Sequence, residues 1–287
     1  MKLSAGIRAL KLSRALLALP YYLLYCPFTA PRRTTRFLQS MNDYREAERT
    51  YHRDRNLIPT IELTQLFPEI FAKPVQLLEM GTRPSGTTYF ETYLLACLVQ
   101  LLQARVIFEF GTLEGRTTLQ LALNSPPEAL IYTLDLPEKN CATQYKLVYA
   151  DEGSFRALPI GGLFLSRPEG AKIRQVYADS ASADYAGLRQ KVDLIFIDAD
   201  HGYDYVKADS EKAFSMVSTN GVILWHDYGS EWRAVGRYLV ELSKQRHRQL
   251  YHIAGTSLAI YFANRPFSIH DSESIHIVAA EKRLRVL

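Results

Sequence analysis

Residues Val106 to Ala122, VIFEFGTLEGRTTLQLA, restrict the possible folds of this chain more than any other stretch. Val106, Ile107, Phe108 and Phe110 are a nearly continuous apolar run of strand length, interrupted only by Glu109 near its end. Gly111 and Gly115 bracket a short loop, and from Thr117 onward the composition is helical. A strand, a glycine-bearing turn and a helix start make a corner where backbone approaches a ligand closely and exposed amides hold its polar groups. The glycine spacing is G-x-x-x-G and lacks the third glycine of the dinucleotide fingerprint G-x-G-x-x-G. An acidic residue at position 109 suits a cationic amino group better than a diphosphate.

The same type of strand recurs along the chain. Leu130 to Leu134 ends at Asp135, Ile173 to Tyr177 is followed by Asp179, Val192 to Ile197 runs into Asp198-Ala199-Asp200-His201, and Val222 to Trp225 runs into His226-Asp227-Tyr228. Helical patterns lie between them, through Met216 and over about Glu231 to Gln245. Two short strands, near Leu250 to Ala254 and Ser257 to Phe262, flank a turn at Gly255-Thr256. Strands alternating with helices predict an α/β fold with a doubly wound, mostly parallel, seven-stranded sheet covered on both faces. Ligands of such sheets sit beyond the carboxyl ends of the strands. Glu109, Asp135, Asp179, Asp198 and Asp227 are all expected at that edge. A row of acids beside a glycine corner points to a cationic nucleoside, S-adenosylmethionine.

The segments EFGTLEGRTT, YTLDLP, ADSA, IFIDADHGYDYVKAD, GVILWHDY and GTSLAIYF resemble the class I S-adenosylmethionine-dependent methyltransferases. Within that class they are similar to the small-molecule O-methyltransferases that include macrocin- and catechol-type relatives. The resemblance spans about Ser85 to Ala263 and implies a Rossmann-like methyltransferase fold with an antiparallel last strand beside the fifth. It implies that Glu109, Gly111, Thr112 and Gly115 hold the methionine portion and that Asp135 accepts from the ribose hydroxyls. Asp179 and Ser180 would lie by the adenine; without a metal ion, Asp198 would contact the cofactor's amino group or orient a histidine. Asp135 also admits a plainer reading, a strand-end carboxylate that caps a loop.

Methyl transfer to a hydroxyl needs the nucleophile aligned with the sulfonium methyl and its proton removed. His201 and His226, each just past a buried strand, are the two candidate bases, with Asp198 beside them as the third catalytic residue. Asp198 and Asp227 are candidate ligands for a divalent cation, magnesium by donor type, because adjacent strand ends bring them together. Metal-dependent relatives carry an amide or acid after the second carboxylate, whereas this chain has Tyr228. Asp200, His201 or His226 could complete such a shell. Tyr203 and Trp225 are expected to pack. The alternatives are a non-catalytic module that binds the nucleoside, a hydroxylase-like enzyme on the same scaffold, and a nicotinamide dehydrogenase. The missing third glycine and Glu109 speak against the last.

Charge divides the chain of 287 residues into parts. Residues 1–42 hold Lys2, Arg8, Lys11, Arg14, Arg32, Arg33 and Arg36 and no acid, so the net charge of +4 is local and the body is slightly acidic. That balance excludes the body as a nucleic-acid binder. The run ALLALPYYLLYCPF is shorter than the roughly 20 apolar residues of a spanning helix and is rich in Tyr. It fits a helix lying on a membrane surface, a helix packed on the domain or on a second subunit of a homodimer, or a targeting segment. Residues 43–104 are expected to be a helical lead-in in which Ser85 or Thr87 caps a helix, residues 105–264 the S-adenosylmethionine-binding domain, and residues 265–287 a tail. Cys26, Cys97 and Cys141 are odd in number and widely spaced, which favours a reducing, cytoplasmic setting. The acceptor is expected to be a small molecule, glycosylated or lipid-linked.

Overall fold

The structure, a computed structural model, describes residues 58–80, 86–137, 142–148, 158–230, 232–245 and 250–264. The basic leader, the candidate cap Ser85, Cys26, Cys141 and the tail lie outside these residues. The elements in chain order are β1 (Thr60–Ile61), α1 (Leu63–Leu66), α2 (Tyr89–Leu102), β2 (Val106–Phe110), α3 (Arg116–Asn124), β3 (Leu130–Asp135), β4 (Ile173–Tyr177), β5 (Val192–Ile197), α4 (Tyr203–Met216), β6 (Val217–Trp225), α5 (Arg233–Gln245), β7 (Leu250–Ile253) and β8 (Ala259–Phe262). The sheet order is β1-β7-β8-β6-β5-β2-β3-β4. Only β8 runs antiparallel to its neighbours, β6 and β7. The doubly wound parallel sheet and the inserted antiparallel last strand are as expected from the sequence. The eighth strand, β1, is two residues long and pairs with the edge strand β7.

Side-chain alternation along the central strands builds both faces. Leu194 and Phe196 of β5, and Val222 and Leu224 of β6, join the core beneath α2 and α3. Ile195, Ile197, Ile223 and Trp225 join the second core beneath α4 and α5. Each central strand is thus buried on both sides, which is why its sequence is almost continuously apolar.

Three expectations are corrected. Residues 58–80 contain a single helical turn, α1, and then turns and extended chain, so this part of the lead-in is not helical. Gln120 and Asn124, one turn apart on α3, each make a pair of amide hydrogen bonds to the backbone of Leu78 and Gln76, clipping the extended segment to the helix. The cap of α2 is Thr88 and not Ser85 or Thr87: its hydroxyl accepts from Glu91 N–H while the Glu91 carboxylate accepts from Thr88 N–H, a reciprocal capping box. The fifth strand of the sequence reading begins at Val217, with a register irregularity before Val222 where Gly221 presses on the Val192 carbonyl.

Among the described residues, no helix is long and apolar enough to cross a membrane.

Candidate active site

Register fixes which residues meet at the carboxyl edge. Phe110 is paired with Leu134 on one side and Ile197 on the other, and Ile197 is paired with Trp225. The residues that follow these positions, Gly111, Asp135, Asp198 and His226, therefore emerge at one level. Asp198 N–H donates to Phe110 O, and His226 N–H to Ile197 O, so the ladder carries on past the strands into the site.

Gly111 has φ +91°, and a Cβ on it would sit 2.0 Å from the Asp198 carbonyl oxygen. Only glycine permits the loop after β2 to lie directly on the start of the loop after β5. Gly115 needs glycine for a different reason. Its φ is +84°, and a Cβ would sit 2.5 Å from the Phe164 ring, which is buried against it. Gly161 N–H donates to Leu113 O and Leu163 N–H to Glu114 O, so the turn around Gly161 roofs this part of the glycine loop. On the Cβ side of Gly115 the space is filled by the Phe164 ring.

The acids of β2, β3 and the loop after β4 are engaged by the protein itself. Glu109 is 1% exposed and lies on the α3 face, where its carboxyl accepts from the hydroxyls of Thr118 and Thr133. Burial pushes its pKa up to about 8, against the two hydroxyls, so it is largely uncharged at neutral pH. It does not reach the open edge, which corrects its assignment to the methionine portion. Thr112 hydrogen-bonds Thr133, and Gln175 donates to Thr112, extending this chain of polar groups to β4.

Asp135 Oδ2 accepts from the amides of Thr112 and Leu113, and Oδ1 from that of Leu136. Its carboxylate caps the glycine loop, the plainer of the two readings, while the side chain stays partly exposed at the edge. Asp179 is buried and accepts from Gln144 N–H, Ala181 N–H and the Tyr205 hydroxyl. Ser180 is also buried, and its carbonyl accepts from the Tyr185 hydroxyl. Asp200 accepts from Gly202 N–H and Val148 N–H. Segment 142–148 is thereby tied at two points, to Asp179 and Asp200.

The ends of β5 and β6 are different. Asp198, His201, His226 and Asp227 form one cluster in which carboxylates face imidazoles. His201 Nε2 is 2.8 Å from Asp227 Oδ2 and 3.9 Å from Asp198 Oδ1. Its ring stacks on Trp232, with centroids 4.5 Å apart. His226 Nδ1 lies 3.2 Å from Asp198 Oδ1 and 3.1 Å from Asp227 Oδ2, at ion-pair distance without hydrogen-bond alignment. Its Nε2 lies 3.4 Å from Glu91 Oε2. Burial works against a charged ring, but Asp198, Asp227 and Glu91 together raise the His226 pKa well above its ordinary value. Burial likewise opposes a charged Asp227, and the bonds from His201 and His226 overcome it and hold the carboxyl well below the usual range. Asp227 also adopts φ +64°, a left-handed backbone that a non-glycine residue keeps only where the surroundings enforce it.

The donor atoms of Asp198, His201 and Asp227 all lie within 4.8 Å of one another. Tyr228, at the position where metal-dependent relatives place a third oxygen ligand, is 1% exposed, and its hydroxyl accepts from Ile58 N–H. It points into the core and is no ligand. Trp225 donates its Nε1–H to Ser210, and Tyr203 bonds Glu241, so both pack as expected. The sequence reading missed Glu91 and Trp232. The Thr88-x-x-Glu91 spacing is a readable capping signal, but nothing local tells that the same carboxylate touches His226.

Comparison with known proteins follows the same lines. A family model described as "Methyltransferase domain" matches residues 108–228, from β2 to the end of the β6 rim. Among solved structures, the chain is similar to an O-methyltransferase from Bacillus cereus in complex with SAH (19% identity, TM-score 0.41, covering 70% of this chain and 90% of that one). It is similar also to the O-methyltransferase TomG from Streptomyces achromogenes, involved in tomaymycin synthesis and in complex with SAM (15% identity, TM-score 0.46, 70% of this chain and 96% of that one). A methyltransferase from Geobacter sulfurreducens is a third (14% identity, TM-score 0.43, 61% and 79%). No curated protein matches. The matched segment runs from the glycine corner to the Asp198–Asp227 cluster, so it is residues 108–228 that are similar to a methyltransferase domain.

Proposed function

We propose that the chain transfers the methyl group of S-adenosylmethionine to a hydroxyl of a small molecule at the rim formed by the ends of β2, β5 and β6. The observation that carries this reading is the contact between Gly111 and the Asp198 carbonyl, which joins the nucleoside corner to the Asp198–His201–Asp227 cluster. In the reaction the hydroxyl oxygen attacks the sulfonium methyl, the carbon–sulfur bond breaks, and the hydroxyl proton must leave. His201 is the group we assign to take that proton. Asp227 holds its Nε2 and Trp232 supports its ring face, which fixes one orientation of the imidazole. His226, wrapped by three carboxylates, is a poor base and serves better as a fixed cation between Asp198 and Asp227. Asp198 and the backbone loop from Gly111 to Leu113 line the cofactor side, with the exposed edge of Asp135 for the ribose.

Asp198, His201 and Asp227 also have the donor chemistry to hold a divalent cation, which when bound would lower the pKa of an acceptor hydroxyl. Magnesium accepts the two carboxylates, and the imidazole extends the choice to manganese and similar ions.

Calorimetry with S-adenosylmethionine and with NAD tests the reading. Binding of the former alone is expected, and weaker in Asp198→Ala; binding of NAD would sink it. An acceptor identified by labelled methyl transfer into a cell extract separates an enzyme from a non-catalytic binding module. The basic leader is proposed to rest on a membrane surface, checked by whether residues 1–40 fused to a soluble reporter sediment with anionic vesicles. A homodimer is checked by light scattering.

A further inference from the structure

We propose that Glu91 is a positioning residue of the methyl-transfer site, fixing the His226 ring from behind so that Nδ1 stays against Asp198 and Asp227. The inference rests on the assignment of that cluster as the transfer site. Glu91 lies on α2, outside the segment that matches the methyltransferase domain. A helix-capping glutamate is ordinarily at the surface; this one is 2% exposed.

Its carboxylate joins three elements. Oε1 accepts from the backbone N–H of Ser257, at 2.6 Å, and from its hydroxyl, at 2.8 Å, in the turn before β8. Oε2 accepts from Thr88 N–H at 2.8 Å and faces His226 Nε2 at 3.4 Å. Three donors from two separate segments hold the carboxylate still, and the remaining direction points at the imidazole. Both edges of the His226 ring then meet carboxylates, Glu91 on one and Asp198 with Asp227 on the other. A ring flip would exchange a nitrogen for a carbon on each edge, taking the imidazole nitrogens away from Glu91 on one side and from Asp198 and Asp227 on the other, which is costly in such a place. Phe196 stands edge-on to the ring at 6.3 Å and adds a steric wall. The arrangement is a carboxylate that orients an imidazole, which in turn orients the groups at the reaction centre.

Imidazole nitrogen spectra of histidine-labelled protein test this, with the His226 signals assigned by their loss in His226→Gln. Glu91→Gln, which keeps the shape, is expected to shift both His226 nitrogen resonances. Thr88→Ala removes the other half of the same cap and is expected to lower Tm while leaving those resonances in place. Unchanged His226 signals in Glu91→Gln, or equal shifts in Thr88→Ala, would overturn the proposal and reduce Glu91 to a cap. Should Glu91→Gln fail to fold, Glu91→Asp retains the charge on a shorter arm; the Nε2 signal is then expected to move, and a stationary one counts against the idea. With an acceptor in hand, Glu91→Gln should lose about tenfold in kcat at unchanged KM for S-adenosylmethionine, and a matching rise in that KM would contradict positioning through His226. Absence of S-adenosylmethionine binding by the wild-type protein would refute the functional reading while leaving the nitrogen spectra to decide the role of Glu91.

Discussion

The two halves of the carboxyl edge carry the same residue type in different employment. On the side of β2, β3 and β4, the acids Glu109, Asp135 and Asp179 accept from hydroxyls and backbone amides, partners that keep their protons throughout the neutral range. On the side of β5 and β6, Asp198 and Asp227 face the imidazoles of His201 and His226, a side-chain type that can carry charge or exchange a proton. The first arrangement shapes loops; the second can do chemistry. An acid at a strand end is thus defined less by its position than by whether its partner can titrate.

The sharpest way to break this contrast is His201→Ala, which should cost about 10²- to 10⁴-fold in methyl transfer at unchanged affinity for S-adenosylmethionine by calorimetry. Near-normal turnover would remove the distinction between the two sides. Gly111→Ala comes next, because its Cβ meets backbone on both approach and φ: a loss of about 3 kcal/mol or more is expected in denaturant unfolding, together with weakened cofactor binding. On the other side, Asp179→Ala should destabilise by about 2 kcal/mol, since Gln144 N–H, Ala181 N–H and the Tyr205 hydroxyl lose their acceptor. Its signature should be faster hydrogen exchange in residues 142–148, and unchanged exchange there would detach Asp179 from that segment.

The smallest effect, reckoned per pH unit, is a pH dependence. The Glu109 pKa rises from 4.5 to about 8 on folding, so the native state binds a proton that the unfolded chain releases in between. Stability from this group is therefore full below pH 4.5 and falls as pH rises through about 8, by at most about 1.4 kcal/mol per pH unit. Glu109→Gln should flatten that slope in urea titrations at several pH values, whereas a slope equal to wild type would place the titrating group elsewhere.

Much of this was legible in the sequence because parallel strands of similar length end together. The parallel strands and the meeting of Asp198 with Asp227 follow from consecutive runs that stop at one level, whereas the antiparallel β8 was implied by the family resemblance. The misplacement of Glu109 was avoidable: Ile107 and Glu109 share a strand face by simple alternation, and that face lies under a helix. β1 was not readable, since two residues carry no pattern and this strand exists by pairing Thr60 with His252 and Ile61 with Ile253. The 58–80 segment misled because its apolar residues are spaced for a helix, yet Gln120 and Asn124 offer its backbone better partners. Gly115 looked like a cofactor glycine, and the ring that fills its space comes from Phe164, nearly 50 positions later.

The contact between Gly111 and the Asp198 carbonyl leaves no slack between the halves of the rim. A ligand that pushes the loop after β2 must push the loop after β5 by the same amount. On the proposed function, docking of the methyl donor and tuning of the histidine cluster are then coupled, and residues chosen to improve either will have to be selected together.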